Sequence, residues 1–391
     1  MVIRPSGLAT IVACPASLQL QARAPTLPMT DDVAEGHAGH WIANRHAAGF
    51  AREFPLGVMF NHSGRAWTVT QDMVRGAQMF VDAMGGPHNE LRLEDPVACP
   101  EIHPNCQGTP DAWRFFPNYT FPPDAQLAGA PSHPVRLIRL GDYKFGHRYV
   151  EVYGNYQCIS YVTGVMHRLQ LTDNDPYLWV EIIIVQPRNY DRTGHVRVWR
   201  VQADRLRAFI NIARAAAMDA LSAEPVARTS EHCGDCEARL FCSVNQRANM
   251  AWVEFSGTAH VVSIPPESVG QELALLETAI ERLKGRRDAA AVHAESLLRS
   301  GKSVAHYHME AGGSDLSYLP NVTVDEIIGL GTVINIDLRK RATLKNSVVT
   351  PTQAIALGVD EKTMSAYAHR PPAAMKLTRD NPATIGKVFN K

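Results

Sequence analysis

The residues best suited to chemistry in this chain are Gly141-Asp142-Tyr143-Lys144. They close an apolar run, Val135-Arg136-Leu137-Ile138-Arg139-Leu140, whose partial alternation suits a β-strand. Residues two apart on a strand point to one face, so Asp142 and Lys144 converge. A carboxylate beside an ammonium is what metal-assisted phosphodiester hydrolysis needs. The acid holds a hard cation and the lysine orients or activates the attacking water. An isolated Asp-x-Lys is common by chance, and its bland reading is a surface salt bridge. Gly108-Thr109-Pro110-Asp111 shifts the balance: it puts a second acid at the start of the preceding strand, where Gly and Pro permit a sharp entry. Two strand-borne acids and a lysine make a hard-metal site.

Other candidates flank this pair. Glu35-Gly36-His37-Ala38-Gly39-His40 lies in an expected helix and offers His40 as a nitrogen ligand, although a lone helical His is more often a satisfied polar residue. Gln157 and Tyr161, four apart, share a helix face and are equally readable as a packing pair. Glu101 is a weaker acidic candidate. Of the seven cysteines, Cys233, Cys236 and Cys242 cluster, Cys14 stands alone near the start, and Cys99, Cys106 and Cys158 read as core or loop residues. An odd, sparse set argues against a secreted disulfide scaffold and leaves metal or thiol chemistry open. Four thiolates bind zinc tetrahedrally or ligate an iron-sulfur cluster, and spacing alone does not choose. The bland alternative is a buried core thiol at Cys14 and three unrelated neighbours.

In order, His40, Asp111, Asp142 with Lys144, and Gln157 with Tyr161 resemble the motifs of the RecB-like PD-(D/E)XK nucleases, a group that includes AddB-type and CRISPR-adaptation exonucleases and many phage proteins. The resemblance covers about Pro5 to Met250. It implies that His40, Asp111 and Asp142 bind Mg²⁺ or Mn²⁺, with the Tyr143 carbonyl as a further ligand. It also implies that Lys144 serves the nucleophilic water, and that Gln157 and Tyr161 steady the site or the DNA. Cys14 with Cys233-x2-Cys236-x5-Cys242 is similar to the arrangement in which such nucleases hold a [4Fe-4S] cluster, so the resemblance favours iron over Zn²⁺. A cluster there would pin the two ends of the nuclease domain together, a long loop whose closure removes chain entropy from the unfolded state. A phosphate-binding loop is missing: Ser300-Gly301-Lys302-Ser303 has Ser296 where the first Gly belongs, so the helicase joined to RecB and AddB is not expected. Stand-alone nucleases of this kind are typical of phages, where they process DNA ends beside a single-strand annealing protein. The non-catalytic alternative is a DNA-binding or assembly protein that keeps the fold.

The elements that must position these groups follow from periodicity. A short helical stretch from Ser6 to Ala24 is broken by Pro15; helices are expected from Asp31 to Ala48 and, capped by Thr70, to Met84. Strands are expected at Leu91–Ile102, Asp111–Phe116, Val135–Tyr143, Tyr177–Gln186 and His195–Val201, with helices at Tyr149–Leu169 and Ala203–Leu221. Pro117 to Pro134, with five prolines, reads as a surface loop or insertion. Pro265-Pro266 leads into a long helix from about Glu267 to Arg299, packed on the main domain or, alternatively, forming a coiled-coil dimer contact. The tail from Gly331 is basic and carries Pro371-Pro372. The expected fold is α/β: a restriction-endonuclease-like core with a central mixed sheet flanked by helices at 1–255, and a C-terminal helical and mixed appendage at 256–391.

With 391 residues, 45% hydrophobic, the chain can bury a large core. Lys+Arg and Asp+Glu are both 39, so a DNA-binding surface would be a local patch. No uninterrupted apolar run of the ~18 residues needed for a membrane span is present, and a cytoplasmic protein of a bacterium or phage-infected cell, without a membrane partner, is expected.

Overall fold

A computed structural model describes residues 1–25, 29–86, 90–256, 266–313, 315–319, 322–339, 348–371, 373 and 375–380. Pro265 and Pro372, two of the prolines singled out above, lie outside these residues. The chain forms two compact units, Met1–Met29 with Met79–His293, and Thr30–Gln78 with Ala294–Lys391.

The first unit is a mixed five-stranded sheet flanked by helices, as the sequence led us to expect. Its strands are β1 (Arg92–Leu93), β2 (Ala112–Tyr119), β3 (Val135–Tyr143), β4 (Leu178–Val185) and β5 (Val196–Gln202), hydrogen-bonded in that order. All neighbours are antiparallel except β3 and β4, which run parallel. A parallel pair requires a crossover, and helix Tyr156–Arg168 supplies it. β3 and β4 are buried along most of their length because both faces of the sheet are covered.

Register across β3, β4 and the edge strand β5 is supported by an ion triplet. Arg139 on β3 and Arg200 on β5 each donate to Glu181 on β4, at 2.6 Å, and Glu181 is buried. A buried carboxylate held by two guanidinium groups would be stranded by a slip of one residue, which turns every side chain to the other face.

Flanking the sheet are α1 (Leu8–Ala13) and α2 (Ser17–Ala22), which Cys14-Pro15 separate as expected, and the end of α4 (Gln71–Met84), whose Met73 N–H is capped by Thr70; α3 (Asp31–Ala47) belongs to the second unit. Next come α5 (Tyr156–Arg168), α6 (Arg207–Ala220), α7 (Ser243–Ser256) and α8 (Pro266–Arg299). Gly141 admits a close approach, because a Cβ there would lie 2.5 Å from Met84 Sδ and 3.1 Å from Phe80 and would force the Met84 side chain to move. The end of α4 thus packs directly over the strand that carries Asp142.

Two expectations need correction. Leu91–Ile102 is not one strand: Arg92–Leu93 and Val97–Ala98 are separate two-residue pieces, parted by Glu94 at a left-handed φ of 48° and by Pro96. Pro117 to Pro134 is not merely a loop, since β2 continues through Tyr119 and a short helix, Pro123–Leu127, follows. Phe121 and Ala125 there pack with Ala130, Val135 and Leu137 in a small core of their own. Its apolar anchors are too few to show a period, which is why the prolines dominated the reading.

In the second unit, Trp41 on α3 stacks on Phe60 of the hairpin Met59–His62/Arg65–Thr68, and a separate core gathers Ile327, Leu338, Ala354, Val359, Met364 and Ala368. Among the described residues no helix is long and apolar enough to cross a membrane.

Candidate functional site

Asp142, at the end of β3, is 1% exposed. Its Oδ1 accepts from Lys144 Nζ at 2.9 Å and from Gln157 Nε2 at 3.0 Å, while Gln157 Oε1 accepts from Lys144 Nζ at 3.4 Å. The three side chains close a ring. Strand period places Asp142 and Lys144 on one face, and Asn155 caps the following helix through the Cys158 N–H, so that Gln157 in its first turn points back at them.

Asp111 arrives from β2. The β2–β3 ladder ends at Ala112 opposite Gly141, and Asp111 Oδ2 accepts the Tyr143 N–H at 2.7 Å, taking the place of the next ladder bond. That single hydrogen bond brings the second carboxylate beside the first. Tyr161, one turn beyond Gln157 on α5, completes the group. Gly108 makes room for it, since a Cβ there would lie 3.0 Å from Tyr161 Cε1 and 2.8 Å from Pro5 Cδ. An open cleft of about 680 Å³, lined by Arg4, Ser6, Gln107, Thr109 and Tyr161, runs up to this point.

The charges of the site act on one another. Burial alone would lower the Lys144 pKa, but Asp142 and Asp111 reverse that effect and hold the ammonium well above the usual lysine value. Burial, then the same two carboxylates, push the Tyr161 phenol upward, so it remains a hydrogen-bond donor. Cys158 is fully buried beside the cluster, and burial followed by the Asp142 charge keeps its thiol protonated.

Asp111, Asp142, Lys144, Gln157 and Tyr161 are therefore brought together. Tyr143 lies between them, its ring packed against Phe80 and Phe145. His40 belongs to the second unit, on α3 with His37 and near His62; burial first, then His37 and His40, lower the His62 pKa. Glu101 is not part of the cluster: its carboxylate accepts from Arg214 Nη2 at 2.8 Å. It borders a cavity of about 830 Å³ beside α5 and α6, larger than the cleft at the acids, whose arginines are already paired, Arg207 with Asp173 and Arg168 with Asp95.

The residue that reading along the chain missed is Cys158. Its type suggested core, and nothing in the sequence marks which core residue will abut the acids. Cys99 and Cys106 are buried too, side by side across the short pair Val97–Ala98/Gln107–Gly108.

Far from the acids in the sequence, Cys14, Cys233, Cys236 and Cys242 line one small cavity of the first unit. Cys14 follows α1 and the other three sit in tight turns before α7. Hydrogen bonds between the distant segments gather them: Ala16 N–H to the Val226 carbonyl, Glu237 N–H to the side-chain Gln21 Oε1, and the side-chain Gln19 Nε2 to the Ser222 carbonyl. Sulfur atoms receive backbone N–H groups, Arg228 to Cys14 Sγ at 3.4 Å and Ser230 to Cys233 Sγ at 3.3 Å. Such donors stabilise thiolates and tune metal-bound sulfur. Among the described residues, no three or more His, Cys, Asp or Glu side chains are grouped so as to hold a single metal ion.

These features define an α/β protein with a buried acid–lysine cluster at the end of its central parallel pair and a four-thiol corner. By sequence the chain belongs to the family described as "Protein of unknown function (DUF2800)", which it matches over residues 134–363. The match takes in Asp142, Lys144, Gln157, Tyr161 and three of the four cysteines of the corner. No curated protein matches the chain.

Proposed function

We propose that this chain is a divalent-metal-dependent deoxyribonuclease that processes DNA ends. One observation carries the reading: Lys144 Nζ is hydrogen-bonded to Asp142, whose neighbour Tyr143 is bonded to Asp111, so two carboxylates and an ammonium converge at one strand end. Magnesium is usually held by only one or two carboxylates, with water and substrate phosphate completing its shell. Asp111 and Asp142 suit that role, with the Tyr143 carbonyl beside them, while His40 enters only through the RecB-like resemblance. When bound, Mg²⁺ or Mn²⁺ would acidify the attacking water and offset charge on the phosphate.

The chain's own groups then have distinct tasks. Lys144, which Asp142 and Asp111 hold above the usual lysine value, would orient the water and steady a phosphate oxygen by its charge. Gln157 fixes both Asp142 and Lys144, and Tyr161 lines the cleft.

The four cysteines fit a [4Fe-4S] cluster by donor type and by the N–H groups directed at their sulfurs; Zn²⁺ is the alternative occupant. Its role would be structural, holding α1 to the turns before α7. Phage-type recombination or repair in a bacterial cytoplasm, beside a single-strand annealing protein, is the setting the resemblance suggests.

The test is digestion of end-labelled linear and closed circular DNA with Mn²⁺. Cutting of the linear form that is lost in Asp142→Asn and Lys144→Ala supports the proposal. DNA binding without hydrolysis under any divalent cation refutes it in favour of a non-catalytic DNA-binding or assembly protein.

A further inference from the structure

Helix α8 was expected either to pack on the main domain or to form a coiled-coil dimer contact. Its apolar stripe is open. Val269, Leu273, Leu276, Ile280 and Leu283 are all exposed, from 36% at Leu283 to 55% at Leu273. Their spacing is four, three, four, three, the period of a two-stranded coiled coil. The helix meets its own unit through a different face: Gly285 approaches Gly234, its carbonyl accepts from Arg239 Nε at 3.2 Å, and His293 meets Phe241 edge-on. Surface leucines scattered singly need no explanation, but five in heptad register on one helix do.

We propose that this stripe pairs with the same stripe of a second copy, antiparallel, so that the protein is a dimer. The charges beside the stripe select both the partner and its direction. Glu272 and Glu277 flank the first half, Lys284 and Arg286 the second. With Leu276 set opposite Ile280 and Leu273 opposite Leu283 of the other copy, Glu272 faces Arg286 twice, once on each side of the dyad. Two Glu277 side chains also meet at the rim, one unfavourable contact. A parallel pair would instead put Glu272 opposite Glu277 of the other copy twice, with no compensating cation. A helix whose first half is acidic and second half basic is complementary to itself reversed, which makes a second copy the fitting occupant.

Sedimentation velocity of the full chain over a range of concentrations tests this. A monomer–dimer equilibrium is expected. Leu276→Glu should weaken it on the order of 100-fold or more, because two leucines per dimer lose their burial. At concentrations low enough for the wild type to be monomeric, the thermal midpoint should be the same in both proteins, since the position is exposed in the monomer. Glu272→Arg separates the two directions: it weakens an antiparallel dimer by facing Arg286 and strengthens a parallel one by facing Glu277. A wild type that is monomeric at every concentration, a trimer or larger species, a dimer indifferent to Leu276→Glu, or a dimer strengthened by Glu272→Arg each overturns the proposal.

Discussion

The acid–lysine cluster hangs on two adjacent strands and the first turns of one helix, whereas the four cysteines come from the end of α1 and from short turns more than two hundred residues later. In the first region each functional group is held by direct hydrogen bonds between side chains and a strand backbone: Lys144 to Asp142, Gln157 to both, Asp111 to Tyr143. In the second, hydrogen bonds tie the chain segments together, two of the sulfurs each accept one backbone N–H, and no side-chain bond links one sulfur to another around the cavity among the described residues. The sheet therefore builds a site whose geometry is set before any ligand arrives, while the cluster proposed for the cysteine corner would complete the cohesion of that region. Removing a group should consequently act on chemistry in one region and on stability in the other.

Asp142→Asn breaks this comparison most directly. It keeps the volume and the bond from Lys144 but removes the charge, so nuclease turnover should fall on the order of 10²–10⁴-fold, as when one transition-state group is lost. Initial-rate assays with Mn²⁺ measure it, and a rate within a factor of two of the wild type would sink the assigned role. Lys144→Ala is expected to fall almost as far, with the loss in kcat, because the ammonium contributes most when charge builds in the transition state.

The cysteine corner should respond in the opposite sense. Cys236→Ser is expected to remove any brown absorption near about 400 nm, which is characteristic of thiolate-ligated iron-sulfur clusters. It should also lower the melting temperature by several degrees, because metal binding free energy is folding free energy. A Cys236→Ser protein that melts with the wild type would show that the corner needs no occupant.

A smaller effect sharpens the sheet side. Gly108→Ala places a methyl group against Pro5 and the ring of Tyr161, neither of which can swing away freely, so chemical denaturation should register a loss of about 1–3 kcal/mol.

The smallest is the pH response of the second unit. Burial lowers the pKa of His46, partly offset by a backbone hydrogen bond at Phe54, and burial with neighbouring His37 and His40 lowers that of His62. A depressed imidazole favours the neutral form, so its stabilising contribution is complete above the ordinary value of 6.5 and is lost as pH falls through the folded-state value. Melting curves should therefore shift downward between neutral pH and mildly acid solution, and a shift unchanged in the double variant His46→Gln, His62→Gln would locate the titration elsewhere.

Much of the candidate site could be read along the chain because its members are local. Asp142 and Lys144 share a strand face by period two, Gln157 and Tyr161 a helix face by period four, and Pro15 and Thr70 end or start helices by backbone chemistry alone. What escaped that reading depends on partners distant in sequence. The packing of 117–134 rests on Phe121 finding Val135 and Leu137, and the fate of Glu101 on Arg214, more than a hundred residues away.

By itself, then, the sequence determined which strand ends in an acid and a lysine, which helix returns a glutamine toward them, and where four thiols stand in the chain. Only the tertiary structure decided that Asp111 would cap the Tyr143 N–H beside Asp142, that Cys158 would lie against the acids, that Cys14 would join three cysteines from beyond residue 230, and that the leucines of α8 would face outward. The division has a simple cause. Backbone periodicity acts over a few residues and is visible in the order of side chains, whereas burial and hydrogen-bond satisfaction are set by what the folded chain brings alongside.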